Sequence, residues 1–249
     1  MRPRLGLGGL DAVLRGGLVV SCQPVEGGPL DDDEVVCRLA QAAVAGGAAG
    51  LRVEGARRVA RVRAAVAAPV IGIVKRDLSG SPVRITPHLQ DVCDLLEAGA
   101  DVIAVDATAR ARPEPVPALL AAIRGGGAAA MADASCLEDA LAAQALGFDI
   151  VGSTLSGYTG GPVPAEPDLA LVAALARHGM RVMAEGRLNT PAQAAAAIRA
   201  GAWAVTVGSA LTRLELATRW FCDAMADAAP AAPAALSGTR GYASRPPGC

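Results

Sequence analysis

The sequence predicts a single (β/α)8 barrel, the TIM-barrel class of α/β fold, and three observations carry that prediction. Its 249 residues match the ~250 typical of such a barrel. Eight short apolar runs recur along the chain, each separated from the next by a stretch of helical character. The junctions also repeat as text. Ala98-Gly99-Ala100-Asp101-Val102-Ile103 matches Leu146-Gly147-Phe148-Asp149-Ile150-Val151, and both match Ala200-Gly201-Ala202-Trp203-Ala204-Val205. Each is a helix end feeding a strand. Eight such units favour closure into a barrel, with an open doubly wound sheet as the structural alternative.

The elements follow in order. Residues 1–17 are expected to hold a short helix, over 11–15, that covers the bottom of the barrel. The first apolar run is Leu18–Cys22; the others occupy 51–53, 70–74, 102–105, 128–132, 150–153, 182–184 and 204–207. Continuous apolar runs this short suit strands buried on both faces of a parallel sheet. The stretch Asp33–Ala45 places Val36, Leu39, Ala40 and Ala43 at helical spacing, with acidic residues at its start that complement the helix dipole. Pro191, directly after Thr190, marks another helix start. Glycines at 46–47, 99, 147, 179 and 201 end helical stretches, where a left-handed residue turns the chain back to the sheet. The barrel is expected to span 18–229. Residues 230–249 become rich in Ala, Pro, Gly and Ser, and this tail is expected to be disordered.

Composition narrows the function classes. Aromatics are 2%, which argues against stacking platforms for nucleic acid and against aromatic-lined carbohydrate grooves. A net charge of −1 provides no general pull toward nucleic acid or an anionic membrane. No uncharged apolar run reaches the ~18 residues of a membrane span. Residues 1–15 lack the continuous apolar segment of a signal peptide. Six cysteines without a C-x-x-C pair or metal-like spacing to histidine fit a reducing cytoplasm. No Ser–His–Asp set and no metal-ligand cluster stands out.

Barrel chemistry sits at the C-terminal ends of the strands. Those positions here read Gln23, Arg52 with Glu54, Lys75, Asp106, Asp133, Ser153 with Thr154, Glu185, and Gly208-Ser209. A ring of polar ends is costly as packing, because an unpaired buried neutral group costs roughly 1–3 kcal/mol and a charge more. It is expected where the ends converge on a polar substrate. Plainer readings exist: Lys75 as a surface lysine, Asp133 and Glu185 as helix N-caps, Arg52 with Glu54 as a structural ion pair, His88 and His178 as helix-surface residues. Glycines just past the last two strands, in Ala184-Glu185-Gly186-Arg187 and Val207-Gly208-Ser209-Ala210, let backbone N–H groups approach an anion, with Arg213 four residues beyond Ser209. Two chemistries fit a lysine and a glutamate at strand ends. One moves a proton at the carbon beside a carbonyl, with Arg52, Arg76 or desolvation lowering the lysine pKa. The other forms a Schiff base on Lys75, as in an aldolase. The residues alone leave both open.

A resemblance covers nearly the whole chain. The stretches 19–24 (VVSCQP), 71–77 (IGIVKRD), 81–87 (SPVRITP), 106–108 (DAT), 131–133 (MAD), 154–159 (TLSGYT), 184–187 (AEGR), 189–191 (NTP), 201–210 (GAWAVTVGSA) and 212–214 (TRL) occur in order. Together with Arg110 and Arg112-Pro113, they resemble the N-acetylmannosamine-6-phosphate 2-epimerases. The resemblance implies reversible inversion at C2 of N-acetyl-D-mannosamine 6-phosphate, in sialic-acid and N-acetylmannosamine catabolism, with no organic cofactor or metal, in a cytoplasmic homodimer. It implies Lys75 as the acid/base lysine and Glu185 as its partner carboxylate. Gln23, Arg52, Asp133, Asp106 and Tyr158 would bind or orient the substrate. Gly186, Arg187, Gly208, Ser209 and Arg213 would hold the phosphate. The loop at 160–165 (GGPVPA) departs from the family pattern in being apolar and Pro-rich, which puts a lid role for it in question.

Overall fold

The computed structural model describes residues 3–228, and the tail expected at 230–249 lies outside the described residues. The apolar runs become β1 (Leu18–Cys22), β2 (Gly50–Glu54), β3 (Val70–Ile73), β4 (Val102–Asp106), β5 (Ala129–Asp133), β6 (Ile150–Gly152), β7 (Val182–Glu185) and β8 (Ala204–Val207). These strands close in sequence order into a parallel barrel, with β8 pairing back onto β1. The expected barrel is therefore closed, and the open sheet is excluded.

Helices α2 (Asp33–Ala45), α3 (Ala56–Ala65), α4 (Leu89–Glu97), α5 (Val116–Gly125), α6 (Leu137–Leu146), α7 (Leu169–Arg177) and α8 (Pro191–Arg199) connect consecutive strands. The side chain of Asp32 caps α2, accepting from the N–H groups of Glu34 at 2.8 Å and Val35 at 3.1 Å. Thr190 and Gln193 form a capping box around Pro191 at the start of α8. Gly147 closes α6 with φ 97°, a conformation an L side chain rarely adopts. The chain ends in a short α9 (Ser209–Thr212) and in α10 (Leu214–Asp227).

Strand residues alternate between two environments. Val19, Ile71, Val102, Ala104, Met131, Ile150, Met183 and Ala204 fill the lumen, while Val20, Leu51, Val53, Val105 and Val207 pack outward against helices. The next inward positions upward are polar: Ser21, Arg52, Asp106, Asp133, Glu185 and Thr206. The barrel is thus an apolar plug below and a polar cup above.

The bottom is sealed by α1 (Leu7–Leu14), whose Leu10 and Leu14 join the luminal cluster. Asp11 pins it there, accepting from Trp203 Nε1 at 2.8 Å and Arg181 Nη2 at 2.9 Å. This helix starts four residues before the expected 11–15. Gly8 and Gly9 disfavour a helix locally, and burial of Leu10 and Leu14 overrides that preference. A second correction concerns β3, which leaves the sheet after Ile73. There the chain folds into a hairpin: Lys75 bridges Ile85, and Thr86, at φ 48°, donates its N–H to Val74 O at 2.7 Å.

Candidate active site

Arg52 projects inward from the middle of β2 and is 1% exposed. A guanidinium is tolerated there because two carboxylates converge on it. Asp133 accepts from Nη2 at 2.6 Å and from Nη1 at 3.1 Å, and Glu185 accepts from Nη1 at 3.0 Å. Thr154 Oγ1 donates to Asp133 at 2.6 Å. The carboxylates hold the Arg52 pKa up against burial. Asp133 and Glu185 end their strands as barrel residues, and α6 starts only at Leu137, so neither is an N-cap. The Arg52–Glu54 pair is replaced by this arrangement; Glu54 instead accepts from the Lys75 backbone N–H at 3.3 Å and lies 3.8 Å from Arg58.

Above this floor opens a cavity of about 540 Å³, lined by both Lys75 and Glu185. Burial pushes the Glu185 carboxyl up to about 7; the negative charge of Asp133 adds to the rise, while Arg52 and Lys75 oppose it. Burial likewise brings the Lys75 ammonium down to about 8, helped by the positive charges of Arg213 and Arg52 and opposed by Glu54. Arg76, a sequence candidate for this role, turns away and pairs with Asp91 at 2.6 Å. A base and an acid drawn toward the same pH therefore face one cavity. In an eight-stranded ring β3 and β7 lie opposite each other, with Lys75 two residues past the end of β3 and Glu185 the last residue of β7.

The rim over β7 and β8 combines two glycines, a helix start and an arginine. Gly186, in the cavity wall, has φ 110°, a conformation an L side chain rarely adopts. Gly208 passes so close to β1 that an added Cβ would lie 3.2 Å from Ser21 Cβ. Ser209 opens α9 beside it, where leading N–H groups lack carbonyl partners of their own. Arg213 is fixed by a 2.9 Å hydrogen bond from Nε to Gln23 O, and both residues line the cavity.

A family model described as "Putative N-acetylmannosamine-6-phosphate epimerase" matches residues 36–227. The chain belongs to the N-acetylmannosamine-6-phosphate epimerase family. A relative named "Putative N-acetylmannosamine-6-phosphate 2-epimerase" from Edwardsiella ictaluri is 59% identical over 210 residues, covering 84% of this chain and 89% of that protein. The solved structure of the N-acetylmannosamine-6-phosphate 2-epimerase from Clostridium perfringens superposes with a TM-score of 0.84 at 39% identity, covering 86% of this chain and 96% of that one. A deoxyribose phosphate aldolase from Aeropyrum pernix, at 19% identity and a TM-score of 0.59, shares the fold alone.

Seen as a member of the epimerase family, the chain places its sequence candidates unequally. Gln23, Arg52, Lys75, Asp106, Tyr158, Glu185, Gly186, Arg187, Gly208, Ser209 and Arg213 all line the cavity. Asp133 does not. It is fully buried beneath Arg52, so its position suits orienting Arg52 and Glu185 rather than touching a ligand. The Asp106 carboxylate is already engaged, accepting from Thr108 Oγ1 at 2.6 Å and from Arg110 Nη2 at 2.5 Å. Arg110, so held, stands in the cavity wall itself. Arg187, at φ 57°, spends part of its guanidinium on the loop before α7: Nε donates to Glu166 O at 2.8 Å, and the group stacks 5.3 Å from the Tyr158 ring centre. The exposed residues 160–165 do not reach the cavity wall; from the β6–α7 loop Thr154, Leu155 and Tyr158 do.

His88 and His178 stand apart from the cavity, as cap residues of α4 and α7. Sequence reasoning missed Arg84, Thr206 and Trp220 as wall residues. Arg84 arrives on the β3–α4 hairpin, which no periodic pattern announces. Thr206 hides inside an apolar strand run. Trp220 reaches over from α10, a helix beyond the barrel strands.

Proposed function

We propose that this chain interconverts N-acetyl-D-mannosamine 6-phosphate and N-acetyl-D-glucosamine 6-phosphate by proton removal and return at C2. The observation that carries this reading is that Lys75, just past the end of β3, and Glu185, the last residue of β7, line one cavity beneath a glycine and arginine rim. The sugar reacts in its open-chain form, because only a C1 carbonyl makes the C2 proton acidic enough to remove. Lys75, with its lowered pKa, takes that proton as the neutral amine. Glu185 is the partner carboxylate, placed to serve the opposite face of C2. Arg52 holds Glu185 in position and offers positive charge as the enolate forms, and Asp133 holds Arg52. Gly186, Gly208, Ser209 and Arg213 receive the 6-phosphate, with backbone N–H groups and the Arg213 guanidinium as donors. Gln23, Arg110 and Tyr158 contact the sugar chain.

The exposed apolar side chains Leu214, Phe221 and Met225 of α10 support a homodimer, testable by sedimentation equilibrium. Among the described residues no helix is long and apolar enough to cross a membrane. The described cysteines are free thiols, which supports a cytoplasmic setting. The activity itself is tested by incubating the protein with N-acetylmannosamine 6-phosphate in deuterated water and following the C2 proton by NMR. Deuterium at C2 of both epimers is expected; a C2 proton that stays unexchanged, with no second epimer formed, overturns the reading.

A further inference from the structure

We propose that Thr206 is a further substrate-contacting residue, whose hydroxyl hydrogen-bonds an oxygen of the open-chain sugar beside Glu185; this rests on the epimerase reading above. Thr206 is the third residue of β8 and pairs in register with Glu185 of β7. Residues in register on adjacent strands share a face, and the strands lie ~4.8 Å apart, so the hydroxyl stands next to the carboxylate. The face is the luminal one: Ala204, two residues earlier, belongs to the luminal cluster, while Val205 and Val207 pack outward.

Three observations on the side chain point to a ligand. Thr206 lines the same cavity as Lys75 and Glu185. It is only 1% exposed. Its hydroxyl has no hydrogen-bond partner among the described residues. Buried hydroxyls in native proteins are nearly always satisfied. The neighbouring hydroxyls are: Ser21 accepts from Gln23 Nε2 at 2.7 Å, Thr154 donates to Asp133 at 2.6 Å, and Thr212 donates to Ser21 O at 2.6 Å. Packing alone does not call for an oxygen at this position, because valine has the same shape. A polar ligand does call for one. The open-chain amino sugar carries oxygens along its length, and O1 gains negative charge as the C2 proton leaves, which a hydroxyl donor at this depth would stabilise.

The test compares wild type, Thr206→Val and Thr206→Ser in steady-state epimerisation of N-acetylmannosamine 6-phosphate, with thermal unfolding of each. Thr206→Val is expected to lower kcat/KM by about tenfold or more, the scale of one lost hydrogen bond to a polar ligand, while its Tm holds or rises. Thr206→Ser keeps the hydroxyl and is expected to stay near wild type. A fall in kcat at constant KM assigns the contact to the enolate oxygen, and a rise in KM assigns it to a chain hydroxyl; either supports the contact. Unchanged kinetics in Thr206→Val overturn it, and so does equal damage in Thr206→Ser, which would make the methyl group the important part. A wild-type chain without activity overturns the epimerase reading instead, so the two failures are distinguishable.

Discussion

Asp133 grips Arg52 through both carboxylate oxygens, at 2.6 and 3.1 Å, and neither side chain is more than 1% exposed. The same guanidinium reaches Glu185 at 3.0 Å. One buried cation thus joins a carboxylate sealed below the cavity to a carboxylate that faces it. The charge of Asp133 does two things at once. It compensates Arg52, and it raises the pKa of Glu185 through space.

Asp133→Asn is therefore expected to change stability and acidity together. Removing one partner of a buried pair costs about 3–5 kcal/mol, because the remaining charge is left short of compensation. Urea unfolding measures that loss. In the same variant the Glu185 pKa should fall, moving the acidic limb of the pH–rate profile to lower pH.

The pH dependence of the wild type follows from the paired shifts. Glu185 titrates at about 7 and Lys75 at about 8, so kcat/KM should be bell-shaped with its maximum between them. A profile flat from pH 6 to 9 would remove this pair from the rate-controlling step.

Lys75 should trade stability for activity. Its folded pKa lies below the unfolded value of 10.5, so the unfolded chain binds the proton more tightly between about 8 and 10.5. Stability therefore rises with pH through that window, and the cost of the buried ammonium is fully present below about 8. Lys75→Met should unfold at higher temperature than wild type, by about 0.5–2 kcal/mol of added stability. Lys75→Ala and Lys75→Met should both abolish C2 proton exchange. Borohydride with substrate should leave no adduct on Lys75; a trapped adduct would favour Schiff-base chemistry.

The charge of Arg213 depresses the Lys75 pKa, and the proposed function gives the same residue the phosphate. Arg213→Ala should lower kcat/KM by about 10- to 100-fold, from the ~1.5–3 kcal/mol of a hydrogen bond to a charged group. It should also move the alkaline limb of the profile upward. A loss in kcat/KM with an unmoved limb would confine Arg213 to phosphate binding.

Much of this site is legible in the linear text. Lys75, Glu185 and Gly208 each end or follow an apolar run, and such positions collect at one mouth of a barrel. Arg52, Asp133 and Glu185 each read as polar strand ends, but their joining into one ion cluster is not legible. They are separated by 81 and 133 residues, and the plainer pairing in the text is Arg52 with Glu54. Asp106 shows another limit of the text. It reads as an open strand-end carboxylate, and it does line the cavity, but Arg110 and Arg112, a few residues on, fold back onto it.

Strand and helix content, their alternation and the glycine turns are local properties, set by side-chain periodicity and backbone preference over a few residues, so the residue order alone carries them. Closure is not local. It places β3 opposite β7, sets Thr206 beside Glu185, and buries Leu10 and Leu14 strongly enough to extend a glycine-containing helix. The pKa values of Lys75 and Glu185 come from the same source. Both depend on burial and on charges brought in from other strands and from beyond β8, and neither exists until the barrel closes.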